Sequence, residues 1–215
     1  MLAAAQQQCI SEYSVMPLWI KVCGMTTPEA VAAAVAARVN AIGFVFHPDS
    51  VRNLTPQRAA ELAAPIPLHI KKVAVTLRPT QELIDDIATH FPADQLQVDL
   101  DYVSYMQLPE HFTLLPVVRS GRVGDLLPSQ RFLFEGAHSG VGQRADWYEA
   151  QTLAARGELI LAGGLDIHVV QQAVEFVRPF GVDVSSGIEI KAGIKDPSLI
   201  MRFVEAARGA ALSNE

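Results

Sequence analysis

The chain has 215 residues, half of them hydrophobic and 19% charged, which excludes a disordered or fibrous protein and is enough for one large core. A formal net charge of −6 with no basic stripe excludes nucleic acid as the main partner, though not a small anionic ligand that responds to the local field. Cys9 and Cys23 make no disulfide framework and fit a reducing cytoplasm, and no apolar run is long enough to span a bilayer or to imply a membrane partner.

Residues 1–15 lack the basic start and apolar centre of a signal peptide. With Met16 directly before "PLWIKVCG", they read as a tail or an over-called start, outside a folded unit of residues 16–215. From residue 18 short apolar runs alternate with segments of helical period. "LWIKV" (18–22) predicts a strand, and "TTPEAVAAAVAAR" (26–38) a helix that opens on Thr and Pro. "AIGFVF" (41–46) is followed by a helix near Thr55, and "KKVAVTL" (71–77) by the periodic "TQELIDDIATHF" (80–91). "QLQV" (95–98) and "TLLPVV" (113–118) lead into the less regular segments 102–108 and 121–129. "RFLFE" (131–135) precedes a glycine-rich stretch and a helix, "LILAG" (159–163) precedes "DIHVVQQAVEFV" (166–177), and "GVDVSS" (181–186) precedes "DPSLIMRFVEAA" (196–207).

Most of these strands are apolar on both alternations, as in a parallel sheet covered on both faces. Eight strand–helix units in about 200 residues match a closed (β/α)₈ TIM barrel, whereas a doubly wound open sheet usually has fewer strands. In such a barrel the chemistry sits at the C-terminal strand ends, and phosphate is commonly held after strands seven and eight.

Several residues stand at those ends. Gly163 and Gly164 end the seventh strand, and Ser185, Ser186 and Gly187 end the eighth, where glycines and backbone N–H groups suit an anion. Cys23 lies just past the first strand, either as a small buried hydrophobe or as a thiolate able to act as base or nucleophile. Arg52 follows the second strand and is either solvated or a clamp for a carboxylate or phosphate. Asp99 and Asp101 follow the fourth and by themselves read as a polar loop, while Asp183, inside the eighth, needs a partner if buried. Glu135 places a charge where the sixth strand runs out. Six scattered histidines without HxH or HExxH spacing give no metal site, and no nucleotide-binding loop is present. A thiol and a carboxylate beside a phosphate cradle suggest proton transfer on a phosphorylated small molecule, without metal or other cofactor.

"KVCGMTTPEAV", "IGFVFHPDSVR", "LAGGL" and "GVDVSSGIEIKAGIKD" resemble the phosphoribosylanthranilate isomerase family of tryptophan biosynthesis, in family order from about residue 18 to 207. The resemblance implies an Amadori rearrangement of N-(5′-phosphoribosyl)anthranilate to its 1-deoxyribulose phosphate product. It implies Cys23 as base, Arg52 as the holder of the anthranilate carboxylate, and Asp183 as the contact to the ribose part. Gly163, Gly164, Ser186 and Gly187 would hold phosphate. The family acid is an aspartate at the end of strand six, a position occupied here by Glu135. A family Gln-Leu-His-Gly after strand four is Gln97, Val98, Asp99 and Leu100 here, so Gln97 and Asp99 fall on substrate-binding positions. Ser-Pro-Arg is here Ser50-Val51-Arg52, and Phe-Asp-Trp is Ala145-Asp146-Trp147.

The expectation is a cytoplasmic isomerase, monomer or homodimer, acting on a small phosphorylated substrate. The alternatives are a diverged paralogue isomerising another phosphorylated aminosugar and a phosphoribosyl-binding protein without turnover.

Overall fold

The computed structural model describes residues 18–121, 130–136 and 144–212; the segments 1–15 and 121–129 singled out above therefore lie wholly or mostly outside it. Eight parallel strands close into a barrel in sequence order: β1 (Trp19–Cys23), β2 (Ala41–Val45), β3 (Lys71–Val75), β4 (Gln95–Asp99), β5 (Thr113–Arg119), β6 (Arg131–Glu135), β7 (Glu158–Leu161) and β8 (Gly181–Val184). β1 pairs with both β2 and β8, which is the closure.

Around the barrel stand α1 (Pro28–Ala36), α2 (Pro56–Ala63), α3 (Gln81–His90), α4 (Trp147–Ala154), α5 (Val170–Val177) and α6 (Pro197–Leu212). Their starts are set locally. Thr27, Thr55 and Thr80 accept from the N–H groups of Ala30, Arg58 and Leu83, and Asp146 accepts from those of Tyr148 and Glu149. Each such cap is worth about 1 kcal/mol.

The alternation of the strands divides the interior in two. Ile20, Val22, Ile42, Phe44, Leu96, Val98, Phe132, Phe134, Val182 and Val184 point outward and pack under the helices. Trp19, Ala41, Val73, Leu115, Val117, Leu133 and Ile160 form a second apolar cluster. The period of two places these on the opposite, inner face. Following that inner row toward the C-terminal ends leads to Lys21, Cys23, Gln97, Asp99, Arg119, Glu135 and Asp183. The apolar packing of the barrel thus gives way to charge at one end.

Three details depart from the sequence reading. Helix α5 begins at Val170 and not at residue 166, because the Asp166 carboxylate accepts from the N–H groups of His168 and Val169 and holds that stretch in a turn. The segment after β4 is a short 3₁₀ helix, Leu100–Tyr105. A hairpin of β9 (Glu189–Lys191) and β10 (Ile194–Lys195), turning at Gly193, stands between β8 and α6.

Candidate active site

A cavity of about 370 Å³ opens at the C-terminal end of the barrel. It brings together seven of the residues singled out in the sequence, Cys23, Arg52, Gln97, Asp99, Glu135, Asp183 and Ser185, and adds Arg119. Gly163, Gly164, Ser186 and Gly187 do not line it. They form a neighbouring rim where the loops after β7 and β8 join through a bridge between Asp166 and Gly187. Gly163 and Gly164 both have positive φ. A Cβ on Gly187 would overlap the Leu165 carbonyl oxygen and approach Asp166 Cβ to 2.9 Å, so only glycine lets these loops meet.

Three charge groups are built into the mouth. The first is Lys21 with Asp183. The residues are paired across β1 and β8, and Lys21 Nζ lies 2.9 Å from Asp183 Oδ1 with the lysine wholly buried. Asp183 therefore has the partner its burial demands. Burial lowers the Lys21 ammonium, but attraction to Asp183 and Cys23 outweighs it and the net direction is up. Burial likewise dominates at Cys23, raising its thiol despite the pull of Lys21. The resting group is thus a thiol beside a cation that would stabilise its thiolate.

The second group is Arg52 with Glu189 and Lys195. Arg52 donates through Nε and Nη2 to the two Glu189 oxygens at 2.7 and 2.8 Å, a two-pronged contact across 137 residues of chain. Lys195 Nζ donates to Glu189 Oε1 at 2.6 Å and to the Ser185 carbonyl at 2.9 Å. Burial alone would raise the Glu189 carboxyl, yet hydrogen bonds from Arg52 and Lys195 and their charges pull it down to about 2. Lys195 moves down because burial outweighs Glu189. The arginine crosses Gly24, where a Cβ would lie 2.5 Å from Arg52 Cδ, so the glycine beside Cys23 makes room for the clamp.

The third group is Asp99, Arg119 and Glu135 on β4, β5 and β6. Arg119 Nε and Nη2 donate to Asp99 Oδ1 at 3.1 and 2.5 Å, and Arg119 Nη1 lies 2.7 Å from Glu135 Oε1. Register explains it: Arg119 is paired directly with Glu135, while Asp99 is paired with Val117, one inward step before Arg119. All three side chains are largely buried.

Counting formal charges, the Arg52 group carries +1, the Lys21 group 0 and the Arg119 group −1. One side of the mouth suits an anion, and the opposite side suits a developing cation. Gln97 completes the lining, and its buried Oε1 has no hydrogen-bond partner among the described residues. No group of three or more metal-ligating side chains occurs among them. No described helix is long and apolar enough to cross a membrane.

Sequence reasoning missed Lys21, Arg119, Glu189 and Lys195. Lys21 carried a usable signal: a charge inside "WIKVC", two residues before Cys23 and so on the same face. Arg119 likewise shares its inward parity with Val117.

The chain matches the family model of N-(5′phosphoribosyl)anthranilate (PRA) isomerase over residues 20–206. It is 36% identical over 191 residues to the N-(5′-phosphoribosyl)anthranilate isomerase of Streptococcus mutans, covering 88% of this chain and 98% of the relative. The crystal structure of phosphoribosyl anthranilate isomerase from Thermotoga maritima superposes with a TM-score of 0.74 at 27% identity, covering 89% of this chain and 99% of the other. A second such isomerase structure, in complex with reduced 1-(o-carboxyphenylamino)-1-deoxyribulose 5-phosphate, gives a TM-score of 0.71 at 27% identity with the same coverage. The chain belongs to the phosphoribosylanthranilate isomerase family.

Proposed function

We infer that this isomerase rearranges N-(5′-phosphoribosyl)anthranilate to its 1-deoxyribulose phosphate ketose, with Glu135 as acid and Cys23 as base. The observation that carries the reading is one cavity in which strand ends present a thiol, a carboxylate and an arginine together, in a chain of this family.

The reaction needs three proton transfers and no net oxidation. Glu135 gives its proton to the ribose ring oxygen. The bond from C1′ to that oxygen breaks with its electron pair on oxygen, and the anthranilate nitrogen lone pair closes an iminium. Cys23, as thiolate, takes the proton from C2′; the C–H pair becomes the C1′–C2′ double bond, and the iminium π pair returns to nitrogen. The enolamine then moves its hydroxyl proton to C1′ and leaves the ketone.

The local charges support these roles. Lys21 and Lys195 both favour the Cys23 thiolate against its burial. The resting Glu135 is ion-paired to Arg119 in the cavity that the phosphorylated substrate would enter. The net negative group on β4, β5 and β6 would stabilise the iminium. Arg52 would hold the anthranilate carboxylate and Asp183 the ribose hydroxyls, with Gln97 and Asp99 lining the cavity between. Gly163, Gly164, Ser186 and Gly187 would take the phosphate on the adjoining rim.

The test is a fluorescence assay following consumption of freshly generated phosphoribosylanthranilate. Cys23→Ser and Glu135→Gln should each lose about 10²–10⁴-fold in kcat while remaining folded. A fully active Glu135→Gln protein would remove Glu135 from the role of acid. A wild type that is inert but still retains phosphate ligands would favour another aminosugar or a binding role.

A further inference from the structure

The two departures at Glu135 and Asp99 meet at one residue that no motif singles out. Arg119 uses one edge of its guanidinium in hydrogen bonds to Asp99, and its remaining nitrogen, Nη1, faces Glu135 Oε1 at 2.7 Å as an ion pair without hydrogen-bond geometry. The arginine is 9% exposed, and both carboxylates line the cavity. A glutamate has one more rotatable bond than the family's aspartate, so its carboxyl needs an outside constraint to stand at one place. Arg119, locked in turn by Asp99, supplies that constraint from the neighbouring strand.

We propose that Arg119 is the positioning residue of this active site, that it holds the Glu135 carboxyl at the reacting centre, and that Asp99 acts by anchoring Arg119 and not by contacting substrate. The proposal rests on Glu135 being the acid. It explains why the longer side chain at 135 and the carboxylate at 99 occur in one chain: the first requires a clamp, and the second makes the clamp rigid. Displacing a reacting group by about 1 Å is enough to cost roughly a hundredfold in rate.

The test combines kinetics with a readout that needs no turnover. Arg119→Met should lower kcat about a hundredfold with KM within about twofold, and Asp99→Asn should lower it about tenfold. The double variant should be no slower than Arg119→Met alone, because Asp99 acts only through Arg119. Arg119→Met combined with Glu135→Asp should recover part of the loss, since a shorter side chain needs less restraint.

In parallel, carbodiimide with glycinamide is applied to the folded full chain. The tryptic peptide "FLFEGAHSGVGQR" carries Glu135 as its one carboxylate, so amide formation there reports that side chain alone. Labelling should rise several-fold in Arg119→Met and in the near-isosteric Asp99→Asn, which keeps the test open if the methionine variant does not fold. Higher KM with unchanged kcat in Arg119→Met would overturn the proposal, making Arg119 a substrate clamp. So would equal labelling of wild type and the folded variants, or independent multiplicative effects in the double variant. If wild type shows no turnover, the isomerase reading fails by itself, and the labelling decides whether Arg119 clamps Glu135.

Discussion

Replacing Glu189 by Gln perturbs the mouth at a point whose cost can be worked from the contacts. Glu189 accepts two bonds from Arg52 and one from Lys195, and its side chain is 5% exposed. Glutamine keeps one acceptor oxygen but turns an amide donor toward guanidinium or ammonium donors, and it leaves two cations side by side with no anion between them. Removing one partner of a buried pair costs about 3–5 kcal/mol. Lys195 can relieve part of this by losing its proton, which burial already favours, so the lower end, about 3 kcal/mol, is expected. For a domain of this size that is a fall in Tm of about 6–12 °C.

The pH dependence gives the sharper test. In Glu189→Gln, Lys195 would hold its proton in the unfolded chain over a range where the folded protein has released it. The unfolded state then binds more protons, so the variant regains stability as pH rises, over a range reaching lower than in wild type. Urea unfolding at several pH values measures both effects, with Glu61→Gln as control, because the Arg58–Glu61 pair is exposed and its loss should cost under about 0.5 kcal/mol. A loss at Glu189 no larger than at Glu61, with parallel pH curves, would refute the reasoning.

Wild type should also lose stability in acid through Glu189: the contribution is fully present above its ordinary 4.5 and falls away toward about 2, amounting to about 1–2 kcal/mol after solvent screening and visible as a falling urea midpoint. Because burial raises the Cys23 thiol above its ordinary 9.0, iodoacetamide alkylation read on the Cys23 peptide should climb about tenfold per pH unit through about pH 7 to 9 as the thiolate forms; a rate flat above neutrality would show a thiol already ionised and refute the raised value. Gly187→Ala should push apart the loops that meet at Leu165 and Asp166; the expected result is a higher KM for the phosphorylated substrate and a loss of about 1–3 kcal/mol in urea, whereas unchanged KM would place phosphate elsewhere.

Much of this protein was legible along the chain. "RFLFE" and "AIGFVF" read as strands because they are buried on both faces, and the structure ends them at Glu135 and Val45. The threonines before α1, α2 and α3 mark helix starts because a cap satisfies N–H groups only three residues away. The start of α5 was misread for the converse reason: Asp166 satisfies the same kind of donors from a turn, and apolar spacing does not distinguish the two. The charged residues at strand ends could likewise be assigned a face, because the period of two is local.

Which charge meets which was decided only in three dimensions. Lys21 and Asp183 are 162 residues apart and become neighbours through closure of β1 on β8. Arg52 finds Glu189 across 137 residues because the hairpin after β8 folds back over the loop after β2. Asp99, Arg119 and Glu135 become one unit through the stagger of three strands, and a shift of one residue in either pairing would turn a member to the outer face. Local sequence determines where a side chain points. Barrel closure and register determine what it touches, and those contacts set the charge of the site.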